Sequence, residues 1–336
     1  MSPWRRTRRA EARSLNARWL SGKVAAAVFT LLFVIVFNFF LFRVMGDPTE
    51  QLARLPRATP EEIDKLRGQY GLDRPLMGQF ADYMGDTARL DLGTSQRSRR
   101  DVVDEIWDAL PWTLLLVGTG TLIATLLGTW MGVKAATRRG KKTDDALLGF
   151  NLFTYASPEY WIGILLILVF AVWLPILPSG LQVTPGAQFN SAFAEILDVA
   201  KHLILPATAM TLMLLGQYFL IMRSSMVDIL TEDFITVKRA TGMRWDRVVN
   251  RHAVPNALLP LVTLSAIQFG SVVAGAITIE TIFSWPGLGE LTFQAINDKD
   301  FPVLQGTFLI FSFGVILANL LADCLYFYLD PRVQSK

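Results

Sequence analysis

Few residues in this sequence of 336 could perform chemistry unaided. It has two histidines, His202 and His252, and one cysteine, Cys324. A lone cysteine excludes an intrachain disulfide, and these residues match none of the common zinc spacings. No G-x-S-x-G marks a hydrolase nucleophile. Gly140-Lys141 in "AATRRGKKT" lacks the earlier glycine of a phosphate-binding loop, and Lys142 stands where that motif needs Ser or Thr. The segment reads as a solvated basic turn, so any nucleotide hydrolysis must belong to a partner.

Two features remain. Glu159, in "YASPEYWIG", interrupts an apolar run beside the helix-breaking Pro158. A charge at the centre of a bilayer costs roughly 2.5–3.5 kcal/mol, so Glu159 either lines a polar path or reaches water where the helix bends. The second feature is "VKRATGMRWDRVVNRHAVP", residues 237–255, a basic insert between apolar runs. Thr231 is the expected N-cap, followed by Glu232 and Asp233 in a first turn that favours acids. The helix runs through Arg239, Ala240 and Thr241 to Gly242, where a positive φ carries no side-chain penalty. A second helix is expected from Met243 to Ala253, ended by Pro255. On it, Trp245, Val248, Val249 and His252 share one face, with Arg244, Arg247 and Arg251 on a neighbouring face. These residues suit a hairpin on anionic lipid headgroups or a docking element for a cytoplasmic partner.

The elements that must position these residues follow from composition. Hydrophobic residues make up 52% of the chain and charged residues 18%, where a soluble protein has nearer about 25% charged. The apolar residues gather into six runs, 24–45, 111–133, 147–174, 203–222, 261–283 and 303–329. About 20 helical residues cross a hydrocarbon core about 30 Å thick. A lipid-facing chain must also satisfy its own backbone, and none of the runs alternates as a barrel strand does. The expected fold is an all-α integral membrane protein with six transmembrane helices. The first run is too long for a cleaved signal and lacks a small-residue cleavage site, so it reads as a retained helix. Asn319 and Asp323 in the last run are expected to make an interhelical polar contact. Arg43 and Asp47 fall at the end of the first helix, where they can reach the interface.

Basic residues concentrate in the tail before residue 24, the turn at 137–145, the insert after the fourth run and the C-terminal tail. The positive-inside rule then puts both termini, that turn and the insert in the cytoplasm. The net charge of +3 reflects this asymmetry and calls for no nucleic acid. The organisation is a cytoplasmic tail (1–23), a first transmembrane helix (24–45), an extracytoplasmic loop domain (46–110), a five-helix core (111–329) containing the cytoplasmic loop 228–260, and a cytoplasmic tail (330–336). The loop domain is too long for a bare connection. It should hold a helix opened by Thr59-Pro60, an amphipathic piece over 75–89, and a third piece from Asp101 leading into the second membrane helix.

The insert resembles the "EAA" loop of ATP-binding-cassette importer permeases, E-A-A-x3-G-x9-I-x-L-P. Gly242 and Pro255 take the glycine and proline positions, with His252 and Val254 at the I and L positions. Thr236, Val237 and Lys238 replace Glu-Ala-Ala. "GDP" (46–48), "YGLDRPL" (70–76), "DLGTS" (91–95), "RHAVPNALLP" (251–260), "ETIFSWPGLG" (280–289) and "DPR" (330–332) are similar to the first-named permease of dipeptide and oligopeptide importers, whose relatives also carry nickel or oligosaccharides. The resemblance implies the type I importer permease fold in a bacterial or archaeal plasma membrane. It also implies a second homologous permease, two cytoplasmic ATPases using ATP and Mg, and an extracytoplasmic substrate-binding protein. This chain would bind no cofactor itself. Arg239, Ala240, Thr241, Gly242, Trp245, Val249, His252 and Pro255 would couple it to an ATPase, and Glu159 would line the path and contact a cationic peptide terminus. A secondary transporter would show two similar halves, and no such repeat occurs.

Overall fold

The computed structural model describes residues 3–45, 74–258, 260–261 and 276–329. The helix expected at Thr59, the "GDP" and "DPR" motifs, Asp47 and most of the fifth apolar run lie outside the described residues. Within them the chain is helical, its one bridge joining Thr94 to Asp101.

Helix α1 spans Pro3–Met45, beginning well before its apolar stretch. The added N-terminal turns are rich in Ala, Arg and Leu, all strong helix formers. Along its membrane stretch Phe29 and Phe33 are more than half exposed, while Asn38 and Phe39 are buried. Helix α2 (Leu76–Ala88) supplies the amphipathic piece expected over 75–89. It meets α1 through Phe39, whose ring lies 5.3 Å from Phe80 and 5.5 Å from Tyr83. Asn38 Nδ2 donates to the Tyr83 hydroxyl and to the Gln305 carbonyl, tying α1 to α2 and to the last helix.

Helix α3 (Val102–Ala136) joins the piece expected from Asp101 to the second apolar run. The third run departs from a single straight helix. Helix α4 (Lys142–Ala156) stops at Ser157, and α5 (Glu159–Ile167) leaves at 101° before widening into a π turn over Leu168–Trp173. The break follows from Pro158, which has no N–H and disfavours helical geometry in the residue before it. Helix α6 (Ala192–Leu230) is one helix of 39 residues, far longer than its apolar core. The insert holds three short helices, α7 (Asp233–Ala240), α8 (Trp245–Val248) and α9 (Val254–Ala257), and helices α10 (Leu288–Asp298) and α11 (Phe301–Leu329) follow. Asp323 on α11 pairs with Lys23 on α1 at 2.8 Å, while Asn319 is exposed.

Helices α3 and α6 form the centre. Gly120, Ala124, Gly128 and Gly132 repeat every four residues on α3, and all four are buried. A methyl group at Gly120 would come 2.5 Å from Met210 Cγ, at Gly128 2.6 Å from Tyr218 Cβ, and at Gly132 2.7 Å from Met222 Cβ. Small residues let the two backbones close to this distance, which is how helices gain contact energy in lipid. On another side of α6, Gly216 admits the Asn151 carbonyl and Tyr155 of α4.

Candidate functional site

The basic insert has a buried underside and an exposed tip. Thr231 closes α6, its hydroxyl donating to the Asp228 carbonyl at 2.7 Å. The N-cap of the next helix is therefore Glu232, not Thr231 as expected, because the threonine side chain is spent on the helix behind it. Helix α7 spans Asp233–Ala240, with Asp233 in its first turn and Lys238 and Arg239 in its last, as the helix dipole favours. Its end is tight: Thr241 N–H bonds the Val237 carbonyl at 3.1 Å and Gly242 N–H the Arg239 carbonyl at 3.0 Å.

Gly242 turns the chain at φ +78°, where a residue with a Cβ is strained, and nothing within 4 Å would meet such a Cβ. The bend therefore needs glycine for its backbone, and the space beside it in this chain is open. Helix α8 (Trp245–Val248) then passes into a π turn over Val249–Ala253 and into α9 (Val254–Ala257). The helix was expected to stop at Pro255, yet it continues to Ala257. Val254 N–H reaches back five residues to the Val249 carbonyl, and this widened turn accommodates a proline that cannot make the ordinary bond. Asn256 Nδ2 adds a bond to the His252 carbonyl at 2.7 Å.

The expected single face of α8 divides in two. Val248, Val249, Ala253 and Ala257 are buried together with Ile235, Met222 and Met226 in the central core. Trp245 is 39% exposed, and Ala240, Thr241, Gly242 and Pro255 are exposed, with His252 half-buried. The Arg239 guanidinium stands over the Trp245 ring, 5.1 Å from its centre, bridging the two arms.

Glu159 opens α5 at the break and is half-buried. It stands apart from the insert in sequence, joined to it through α4 and α6.

Residues 124–335 match the family described as "Binding-protein-dependent transport system inner membrane component", and residues 16–117 match "Binding-prot-dependent transport system membrane comp, N-term". The chain belongs to this family of transport permeases. It is 34% identical over 332 residues to the di/tripeptide transport system permease protein of Pseudomonas aeruginosa, covering 95% of this chain and 99% of that one. It is 36% identical over 307 residues to the glutathione transport system permease protein of Escherichia coli, covering 91% and 95%. A putative peptide permease protein of Brucella ovis is 37% identical over 291 residues, covering 86% and 90%. The permease is thus a multi-pass inner-membrane component, helical through its described residues as expected. Among these, four helices are long and apolar enough to cross a membrane, and the bent α4–α5 pair, taken as one span, makes a fifth, a number compatible with the six expected.

Two polar assemblies of the permease escaped the sequence reading. Asp144, at the start of α4, receives both Arg223 Nε (2.7 Å) and Nη2 (2.8 Å) from α6, plus the Gly140 N–H at 3.1 Å. At the opposite end Glu280 is fully buried. It accepts from the Thr113 hydroxyl at 2.7 Å, from Gly289 N–H at 2.6 Å and from Glu290 N–H at 3.2 Å, so it caps the N-terminus of α10. Gly287 and Gly289 are needed there because a Cβ on either would strike this carboxylate. Trp285 Nε1 donates to the Trp112 carbonyl at 2.9 Å and completes the "ETIFSWPGLG" turn. The only local hint was an acid seven residues before two closely spaced glycines.

Proposed function

We propose that this chain is the first permease subunit of an ATP-driven peptide importer, forming half of the translocation path, with segment 231–257 as its grip for a cytoplasmic ATPase. One observation carries the reading. The exposed tip of Arg239, Ala240, Thr241, Gly242 and Trp245 is continuous in the chain with a buried underside of Val248, Val249 and Ala253. Ala240 and Gly242 leave room for a partner's backbone, Trp245 offers an apolar anchor, and Arg239, Arg244, Arg247 and Arg251 steer it. Val249, among the coupling residues, is buried and fastens the loop to its own membrane helices, with His252 and Pro255 completing the coupling segment behind the tip. The dipeptide and peptide permeases among the relatives support the cargo class.

In this reading both termini and the turn at 137–145 face the cytoplasm of a bacterial or archaeal cell, in accord with their arginines and lysines. A second, related permease completes the path, two ATPases use ATP and Mg, and a substrate-binding protein delivers cargo from outside. Glu159, at the helix break, contacts the cationic terminus of a passing peptide. The test is crosslinking from Thr241→Cys in the membrane-embedded assembly, together with ATP hydrolysis stimulated by peptides, oligosaccharides or nickel chelates plus the binding protein. Crosslinks to a nucleotide-hydrolysing subunit and stimulation by peptides are expected. No such crosslink overturns the coupling role, and stimulation by a chelate or sugar alone overturns the cargo.

A further inference from the structure

The loop's motion is useful only if it reaches the path, and the structure holds a continuous mechanical route. Helix α6 runs without interruption into the loop at Thr231. Eight residues before that end, Arg223 forms its two-bond fork with Asp144, whose residue surface is 3% exposed. A fork of this geometry fixes direction as well as distance. The carboxylate ignores the solvated lysines beside it, Lys141 and Lys142, and is turned inward by the Gly140 N–H. Two helical turns further along α6, Gly216 lets α4 approach so closely that a methyl group would lie 2.6 Å from Tyr155 Cβ and 2.7 Å from the Asn151 carbonyl oxygen. Helix α4 is therefore fastened to α6 at two levels. It ends one residue after Tyr155, where the chain breaks by 101° at Ser157-Pro158 and Glu159 begins α5.

We infer that Asp144 and Arg223 are positioning residues for transport, a strut that makes α4 and α6 travel as one body and delivers the loop's displacement to the break at Ser157-Pro158. The inference rests on the coupling role proposed for the loop. A strut and a latch differ: a strut stays closed through the transport cycle, whereas a latch must open.

The test uses the complete importer with its ATPases, second permease and binding protein, carrying Cys324→Ser as parent. Asp144→Cys with Arg223→Cys, left unlinked, should carry roughly tenfold less peptide per ATP hydrolysed, within the range seen for residues that carry coupling between sites. Joining the two cysteines with a short bifunctional thiol reagent should bring that ratio back to within roughly twofold of the parent. Loss of transport on joining would overturn the strut, since the helices would then have to part. If the cysteine pair does not assemble, Arg223→Lys decides: it keeps the charge but not the fork, and a peptide-per-ATP ratio equal to the parent would overturn the inference. Failure of the ATPases to co-purify with the unaltered chain would instead overturn the loop's coupling role, leaving the two failures distinct.

Discussion

Arg239 and Trp245 lie on opposite arms of the loop and meet across Gly242, the guanidinium carbon 5.1 Å from the ring centre. The contact closes the bend from outside while Val248 and Val249 hold it from inside. An exposed cation–π pair contributes about 0.5–1 kcal/mol, enough to favour one loop geometry without freezing it. Trp245→Ala should therefore loosen the tip and remove its apolar anchor, reducing ATPase retained on purification. Trp245→Phe, which keeps a ring under Arg239, should retain more. Quantifying ATPase bound per permease after washing checks both.

Gly242 sits at φ +78° with open space beside it. The cost of a side chain there is conformational alone, roughly 1–2 kcal/mol for a residue forced into left-handed geometry. Asn tolerates that region better than other residues. Substrate-stimulated ATP hydrolysis should fall in the order Gly, Asn, Ala, Val at this position. If the proposed coupling role holds, Gly242→Asp should leave the assembly intact yet cut transport, because the turn is strained and a charge is added on the face offered to the partner.

Glu280 satisfies three donors in a buried site. Glu280→Ala leaves Thr113, Gly289 and Glu290 without their acceptor, at roughly 1–3 kcal/mol for each group left unpaired. Glu280→Gln keeps an acceptor oxygen and should fall between. The thermal unfolding midpoint in detergent, followed by tryptophan fluorescence, should drop most for Ala.

Gly128 and Gly118 share α3 but not surroundings. A methyl group at Gly128 would lie 2.6 Å from Tyr218 Cβ and 3.1 Å from the Phe219 backbone nitrogen, whereas one at Gly118 meets nothing within 4 Å. Overpacking costs typically about 1–3 kcal/mol, more where the obstacle is backbone. Gly128→Val should give little monodisperse protein on size exclusion, and Gly118→Val should resemble the parent.

The membrane runs that fall among the described residues and the loop's glycine were legible because each depends on local composition or a single backbone requirement. Pro158 was visible as a bend, though the 101° turn depends on what α4 and α5 each pack against. Thr231 and Pro255 misled for different reasons. A side-chain hydroxyl can serve the helix behind it as readily as the one ahead, and a helix can widen by one residue to carry a proline through. The Asp144–Arg223 fork joins residues 79 apart, and no periodicity within either segment announces the other. The four-residue repeat of Gly120, Ala124, Gly128 and Gly132 was present in the sequence, and its meaning emerged only with Met210, Tyr218 and Met222 opposite.

Helix α6, at about 1.5 Å per residue, is about 58 Å long, nearly twice the thickness of a hydrocarbon core. Near its first turns Asp198 clasps Thr184 through both N–H and hydroxyl, and its last residue, Leu230, hands the chain to the basic insert. On the proposed function, cargo arriving on one side and fuel consumed on the other would tug on this same helix, with Pro206 inside it as the one place where the rod can give.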